Sequence, residues 1–316
     1  MKHIDLHCDT MLKLFYSKEE RKLFRNDIHV DIEKLIKGQS MAQFFALFVE
    51  LEGKYKEGES PYTHCRGMLD RFHKEIDDNK EYIAYAGNYA QMMENYNDNK
   101  ISAFLTIEEG GVLEGKIERV KEFYDLGVRL ITLTWNYENC NGFSSVDFKD
   151  MDKGLKEFGV QVVEEMNNLG MIIDTSHLSD AGFYDVARLS TKPFVASHSN
   201  SRVITNVERN LTDDMIKILA NKGGVCGLNL CIPFLGPGKV GKIDYMVEHV
   251  KHIVNVGGIE VMSLGTDFDG IGGELEIPNI GEIGKLSTAL NKAGFSDDAI
   301  EKIFYKNNER IIKEVL

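Results

Sequence analysis

Along the chain, short apolar runs alternate with longer amphipathic stretches. The runs fall at His3–His7, Gln43–Glu50, Ile101–Ile107, Arg129–Thr134, Met171–Asp174, Phe194–Ser197, Val225–Leu230 and Val261–Gly265. Most lack the polar/apolar alternation of a half-exposed strand, which predicts strands buried on both faces. Helical spacing predicts helices over Ile117–Leu126, Leu155–Leu169, Ala181–Leu189, Met215–Asn221 and Tyr245–Val256. Gly170 supplies a stop after one of them, and Thr212-Asp213-Asp214 supplies a cap and first-turn acids for another. Strand–helix alternation argues for a parallel sheet, and eight strand candidates predict an α/β fold closed as a (β/α)8 TIM barrel. The stretch 55–99 breaks the rhythm and predicts a helical insertion. No linker or repeat interrupts the rest, so residues 1–316 are expected to form a single barrel domain.

Composition narrows the function. Lys+Arg total 37 against Asp+Glu 50, a net charge of −13, the wrong sign for a surface that neutralises nucleic-acid phosphates. The five cysteines are odd in number and no C-x-x-C occurs, so neither a disulfide framework nor a zinc knuckle is indicated. The N-terminus reads MKHIDLHCDTMLKLF, too charged for an export signal, and no apolar run is long enough to span a membrane. A cytoplasmic setting without a membrane anchor is the expectation.

Candidate chemistry gathers where a barrel would put it, just past the strand ends. His7 and Asp9 follow the first run, Glu109 the third, His177 the fifth, His198 the sixth and Asp267 the eighth. Residues two apart on a strand share a face, so an imidazole at His7 and a carboxylate at Asp9 can reach one ion. By the same parity His3, Asp5, His7 and Asp9 all share that face. Two further histidines past neighbouring strands make a metal site a better reading than isolated structural residues. Glu109 lies before a Gly-Gly turn and could bridge two ions or merely sit in a loop. Asp267 could be a general acid/base, with Asp269 competing. His249 and His252, three apart on a charged amphipathic helix, read as solvated rather than ligating. No dinucleotide or Walker glycine pattern and no G-x-S-x-G elbow is present.

Asp5-Leu6-His7-Cys8-Asp9, Glu109-Gly110-Gly111, His177, Ser197-His198-Ser199, Arg209-Asn210 and Gly265-Thr266-Asp267-Phe268-Asp269-Gly270 occur in an order that resembles the membrane (renal) dipeptidases. The resemblance spans residue 4 to about 270. It implies a barrel metallo-hydrolase that cleaves dipeptides, including those with a C-terminal D-residue, by a hydroxide bridging two Zn²⁺ ions. Other divalent metals suit such ligands too. By the same resemblance His7 and Asp9 hold one zinc, His177 and His198 the other, and Glu109 both. Glu109 is preferred to Glu108 because the family's bridging Glu directly precedes the Gly pair. Asp267 matches the general acid/base and Arg209 the group that grips the substrate carboxylate. Trp135 and Asn136 stand where a substrate-contacting His is found in membrane-bound members, which implies an altered substrate preference. The resemblance also admits a homodimer. Two rivals remain on the residues alone: another barrel amidohydrolase or metallo-phosphoesterase, and a catalytically silent barrel that only binds.

Overall fold

A computed structural model describes residues 1–316 apart from 18, 19, 54, 56 and 147. Eight parallel strands form its centre: β1 His3–Cys8, β2 Ser40–Phe48, β3 Ile101–Glu108, β4 Val128–Thr132, β5 Ile172–Asp174, β6 Val195–Ala196, β7 Val225–Leu228 and β8 Met262–Leu264. Each pairs with the next, and β8 pairs with β1 through Leu264 and Asp5, so the sheet closes as a (β/α)8 barrel. The strands are buried on both faces, β3 along its whole length, which accounts for runs that read as continuously apolar. Helices Glu118–Asp125, Glu157–Leu169, Asp180–Leu189, Asp213–Asn221 and Ile243–Gly257 lie within two residues of their expected ends.

The insertion is not purely helical. A long helix, Pro61–Asp78, is set by a Ser60/Thr63 capping box with proline in its first turn. It is followed by a short strand, Ile83–Tyr85, and a helix, Tyr89–Asn97. The short strand pairs with Ile101–Ala103 at the start of β3. Three residues are too few to show a period, which leaves this strand unmarked in the residue pattern.

The barrel interior is apolar below and polar above. Ile4, Leu6, Phe44, Phe104, Leu130, Ile172, Val195 and Val225 form one buried cluster, with Phe44 and Phe104 stacked at 4.6 Å between ring centres. Ile311, Ile312 and Val315 of the last helix join it at the amino-terminal end of the strands. A register shift against β2 between Asp5 and Cys8 overturns the simple parity expected along β1. Ile4 and Leu6 pack with the interior cluster, whereas His3 bonds the Gly38 carbonyl of a surrounding helix and Asp5 bonds Gln43 and Thr266. Only beyond the shift do His7 and Asp9 reach the barrel mouth. That mouth lies at the carboxy-terminal ends of the strands, where barrel sites are built.

Candidate metal centre and substrate cavity

Five side chains from four strand ends converge on one point. His7 Nε2 lies 3.3 Å from Asp9 Oδ2 and 3.2 Å from Glu108 Oε2. The other oxygen of Glu108, Oε1, lies 3.1 Å from His177 Nε2 and 3.6 Å from His198 Nε2. Three overlapping sets, His7–Asp9–Glu108, Glu108–His177–His198 and His7–His198–Asp267, each place their ligand atoms within 4.8 Å of one another. Every ligand in the first two sets is buried.

The carboxylate between the two histidine groups belongs to Glu108, which corrects the expectation for Glu109. Glu108 is the last residue of β3 and points into the mouth. Glu109 has left the strand with φ +87°, so its side chain turns away from the cluster. There it accepts from the backbone N–H of Gly111 at 2.7 Å and of Trp135 at 2.9 Å, and from the Asn139 amide. It is a fully buried buckle between the ends of β3 and β4.

The histidines are oriented from behind. Ser197 Oγ donates to Asp174 Oδ2 at 2.6 Å and therefore accepts from His198 Nδ1–H at 2.7 Å. The same logic has His177 Nδ1–H donating to Asn136 Oδ1 at 3.0 Å. Both rings are thereby fixed in the tautomer that presents a bare Nε2 lone pair, and the two Nε2 atoms stand 3.0 Å apart. Burial also holds both imidazoles well below their ordinary pKa, in the neutral form that ligates. Asp9 Oδ1 is buried with no hydrogen-bond partner, and His7 Nε2 faces two carboxylate oxygens in the position a cation would take. Facing lone pairs and orphaned buried acceptors are repulsive by themselves and are satisfied by cations. The donor set, imidazole nitrogens and carboxylate oxygens, fits zinc and related divalent metals. Burial, with the Asp9 charge nearby, pushes the Glu108 carboxyl up to about 8. Asp267 rises to about 7, chiefly through burial. Cations would restore both to carboxylates.

Asp267 completes the mouth. Its Oδ2 accepts from Asn229 Nδ2 at 2.9 Å, and its Oδ1 lies 3.9 Å from His7 Nε2. Its φ of +63°, like the +68° of His177, is a costly conformation for a residue with a Cβ, here concentrated at the cluster. Asp269 does not compete for the role: it accepts from Thr10 Oγ1 and the His29 N–H, away from the cluster.

A cavity of about 490 Å³ opens over the cluster. Arg209 forms part of its wall although it is buried. Its Nη1 and Nη2 are held by Ser199 Oγ at 2.7 Å and the His198 carbonyl at 2.8 Å, while Nε has no partner. The loop that carries it is braced by a two-point Arg202–Asp180 ion pair. Trp135 also lines the cavity, edge-on to Phe48 at 4.7 Å. Asn136 also lines the cavity, but its amide oxygen serves His177. The sequence assigned no role to Asp174 or Asn229, and Ser197 entered only as part of the Ser197-His198-Ser199 motif. Only their placement at strand ends beside ligands could have marked them.

His249 and His252 stand apart from this site and are not solvated as expected. His249 is fully buried, accepting from the Ser201 N–H at 3.1 Å and donating to the Leu235 carbonyl at 2.9 Å; His252 meets Asp213 at 2.7 Å.

The whole chain, residues 1–316, matches the family model described as membrane dipeptidase (peptidase family M19). An uncharacterized dipeptidase of Schizosaccharomyces pombe is 33% identical over 258 residues, 77% of this chain and 61% of the yeast protein. The chain thus matches less than two thirds of that relative's length. A Klebsiella pneumoniae protein, described by its place in the pqqA 5′ region, is 31% identical over 71% of this chain and 86% of its own. Among solved structures, the metallo peptidase dipeptidase AC superposes with a TM-score of 0.92 at 24% identity, covering 100% of this chain and 98% of that one. A Rhodobacter sphaeroides metallo peptidase, liganded with a phosphinate mimic of the dipeptide L-Ala-D-Ala, gives 0.90 at 23% identity over 100% and 99%. These likenesses establish the shared barrel. Among the described residues no helix is long and apolar enough to cross a membrane.

Proposed function

Because the chain belongs to the membrane dipeptidase family, peptidase family M19, we propose that it is a metal-dependent dipeptidase hydrolysing the peptide bond of free dipeptides. The observation that carries this reading is the pair of bare Nε2 atoms on His177 and His198, 3.0 Å apart and facing Glu108. In this reading His7 and Asp9 hold one divalent cation, His177 and His198 a second, and Glu108 contributes one oxygen to each. Zinc is the default by ligand type. Such ions, when bound, supply Lewis acidity that polarises the scissile carbonyl and lowers the pKa of the attacking water toward ~7.

The remaining work falls to protein groups. Asp267, steadied at Oδ2 by Asn229, has Oδ1 free to take the water's proton and deliver it to the departing amine. Arg209 spends two of its five N–H bonds on Ser199 and His198, leaving three, Nε–H included, for the substrate's terminal carboxylate. That grip restricts substrates to peptides whose chain ends one residue after the scissile bond. Trp135 offers an N–H donor and apolar surface but cannot carry a proton, so it shapes the substrate site rather than sharing in proton transfer. The reading extends to a D-residue at the second position, the class mimicked by the ligand of the Rhodobacter protein.

Metal-replete and chelator-treated protein should be assayed against L,L- and L,D-Ala-Ala and their C-terminal amides. The reading expects cleavage of the free dipeptides, loss on chelation, and amides slower by at least about tenfold. Cleavage of the amides as fast as the free peptides, or turnover indifferent to chelation, contradicts it.

A further inference from the structure

Resting on the dipeptidase reading, we infer that the site is built for dipeptides whose amino-terminal residue carries an acidic side chain, recognised by Lys13. Lys13 stands four residues after Asp9, on the helix Thr10–Tyr16 that leaves β1. Asp9 is the N-cap of that helix, and Lys13 lines the same cavity as this proposed metal ligand. It is half-buried in the wall of the cavity, and its ammonium has no hydrogen-bond or ion-pair partner among the described residues. It also lines an adjoining recess of about 440 Å³, which shares Ile271 with the main cavity. The recess holds a second ammonium, that of Lys34. It is already consumed by the Asn26 and Ile28 carbonyls at 2.9 and 2.6 Å and by Asp31 at 2.7 Å.

Assigning the other charged groups of the wall leaves Lys13 without an occupation. Asp9, Glu108, His177 and Asp267 belong to the cluster, and Arg209 to the terminal carboxylate. The uncharged wall is mostly apolar, including Phe48, Trp135, Phe234 and Ile271, with Asn136 and Ser145 as its polar side chains. A half-buried, unpaired ammonium beside such a wall gains from a carboxylate that a neutral substrate does not offer.

Topology assigns the acidic side chain to the first residue. Arg209 follows β6 and Lys13 follows β1, with β7 and β8 between them. A dipeptide anchored by its carboxylate at Arg209 and by its carbonyl at the cluster extends its amino-terminal residue away from Arg209. Glu208, also in the wall and adjacent to Arg209, repels a second carboxylate at that end.

The test compares isosteric pairs, Glu-Ala with Gln-Ala and Ala-Glu with Ala-Gln, on metal-replete protein, by turnover and by calorimetric binding. Wild type is expected to favour Glu-Ala over Gln-Ala by about tenfold in kcat/KM, the scale of one charge-assisted bond. The ratio should fall toward one in K13M and invert in K13E, with Lys-Ala gaining on Glu-Ala. Equal handling of Glu-Ala and Gln-Ala by wild type, or an unchanged ratio in K13M, overturns the inference. A preference confined to Ala-Glu overturns the placement at the first residue. Failure to cleave any dipeptide would count against the dipeptidase reading alone, because the binding comparison still reports on Lys13.

Discussion

At the residue scale, one backbone torsion decides which of two adjacent acids faces the histidine cluster. Glu108 ends β3 with an inward side chain, and Glu109, with φ +87°, turns its carboxylate onto the Trp135 and Gly111 amides. E108Q is therefore expected to lose bound metal and at least about a hundredfold in activity, since an amide oxygen is a poor bridge between cations. E109Q keeps an oxygen acceptor and should retain its metal, but it gives up one buried acceptor for a donor and costs about 1–3 kcal/mol of stability. Metal analysis and thermal unfolding of the two variants separate these outcomes; metal loss in E109Q rather than E108Q would reverse the assignment. Proximity to the Gly pair pointed to the wrong acid because it counts along the chain, whereas strand parity fixes direction. The same parity misled at His3 and Asp5, because the register shift in β1 depends on pairing with β2 and leaves no mark in β1 itself. That His7, Asp9, His177 and His198 come together was legible because each lies at or just past the end of a short apolar run that reads as a strand.

At the element scale, β6, β7 and β8 approach one another closely where glycines lack side chains. A Cβ at Gly265 would overlap the Ser197 carbonyl oxygen, as would one at Gly227. Ser197 precedes His198, and Gly265 lies two residues before Asp267, so this contact sets the spacing between a proposed ligand and the proposed proton carrier. G265A should destabilise the protein by about 2–4 kcal/mol through overpacking and lower metal affinity as well. A variant with wild-type unfolding and metal binding would show that the strands can part without consequence. Strand order and helix positions were readable from apolar runs and caps, since these are local signals. The strand Ile83–Tyr85 was hidden because it is held by pairing to β3 rather than by any pattern of its own.

At the scale of the whole molecule, buried histidines away from the cluster tie stability to pH. Burial lowers His249 from 6.5 to about 4, and its Nδ1 must stay unprotonated to accept from Ser201. Because the folded form binds its proton less readily than the unfolded chain, the penalty is absent above pH 6.5. It grows as pH falls and is complete below about pH 4. That shift corresponds to on the order of 3 kcal/mol. H249Q, whose amide can supply both an acceptor and a donor, should flatten the loss of stability between pH 7 and 4.5 in denaturant titrations. An unchanged slope would remove His249 from this role. A charged amphipathic helix suggested solvated histidines, and only the segments past β6 and β7, which bring Ser201 and Leu235 onto the ring, bury His249.

If Glu108 joins two cation sites at the barrel mouth, anomalous diffraction from crystals grown with zinc will show it. Two peaks about 3.5–4 Å apart are expected, one against His7 and Asp9 and one against His177 and His198, with a Glu108 oxygen at each. A single peak, peaks that leave Glu108 uncoordinated, or zinc ligated by Glu109 would contradict it.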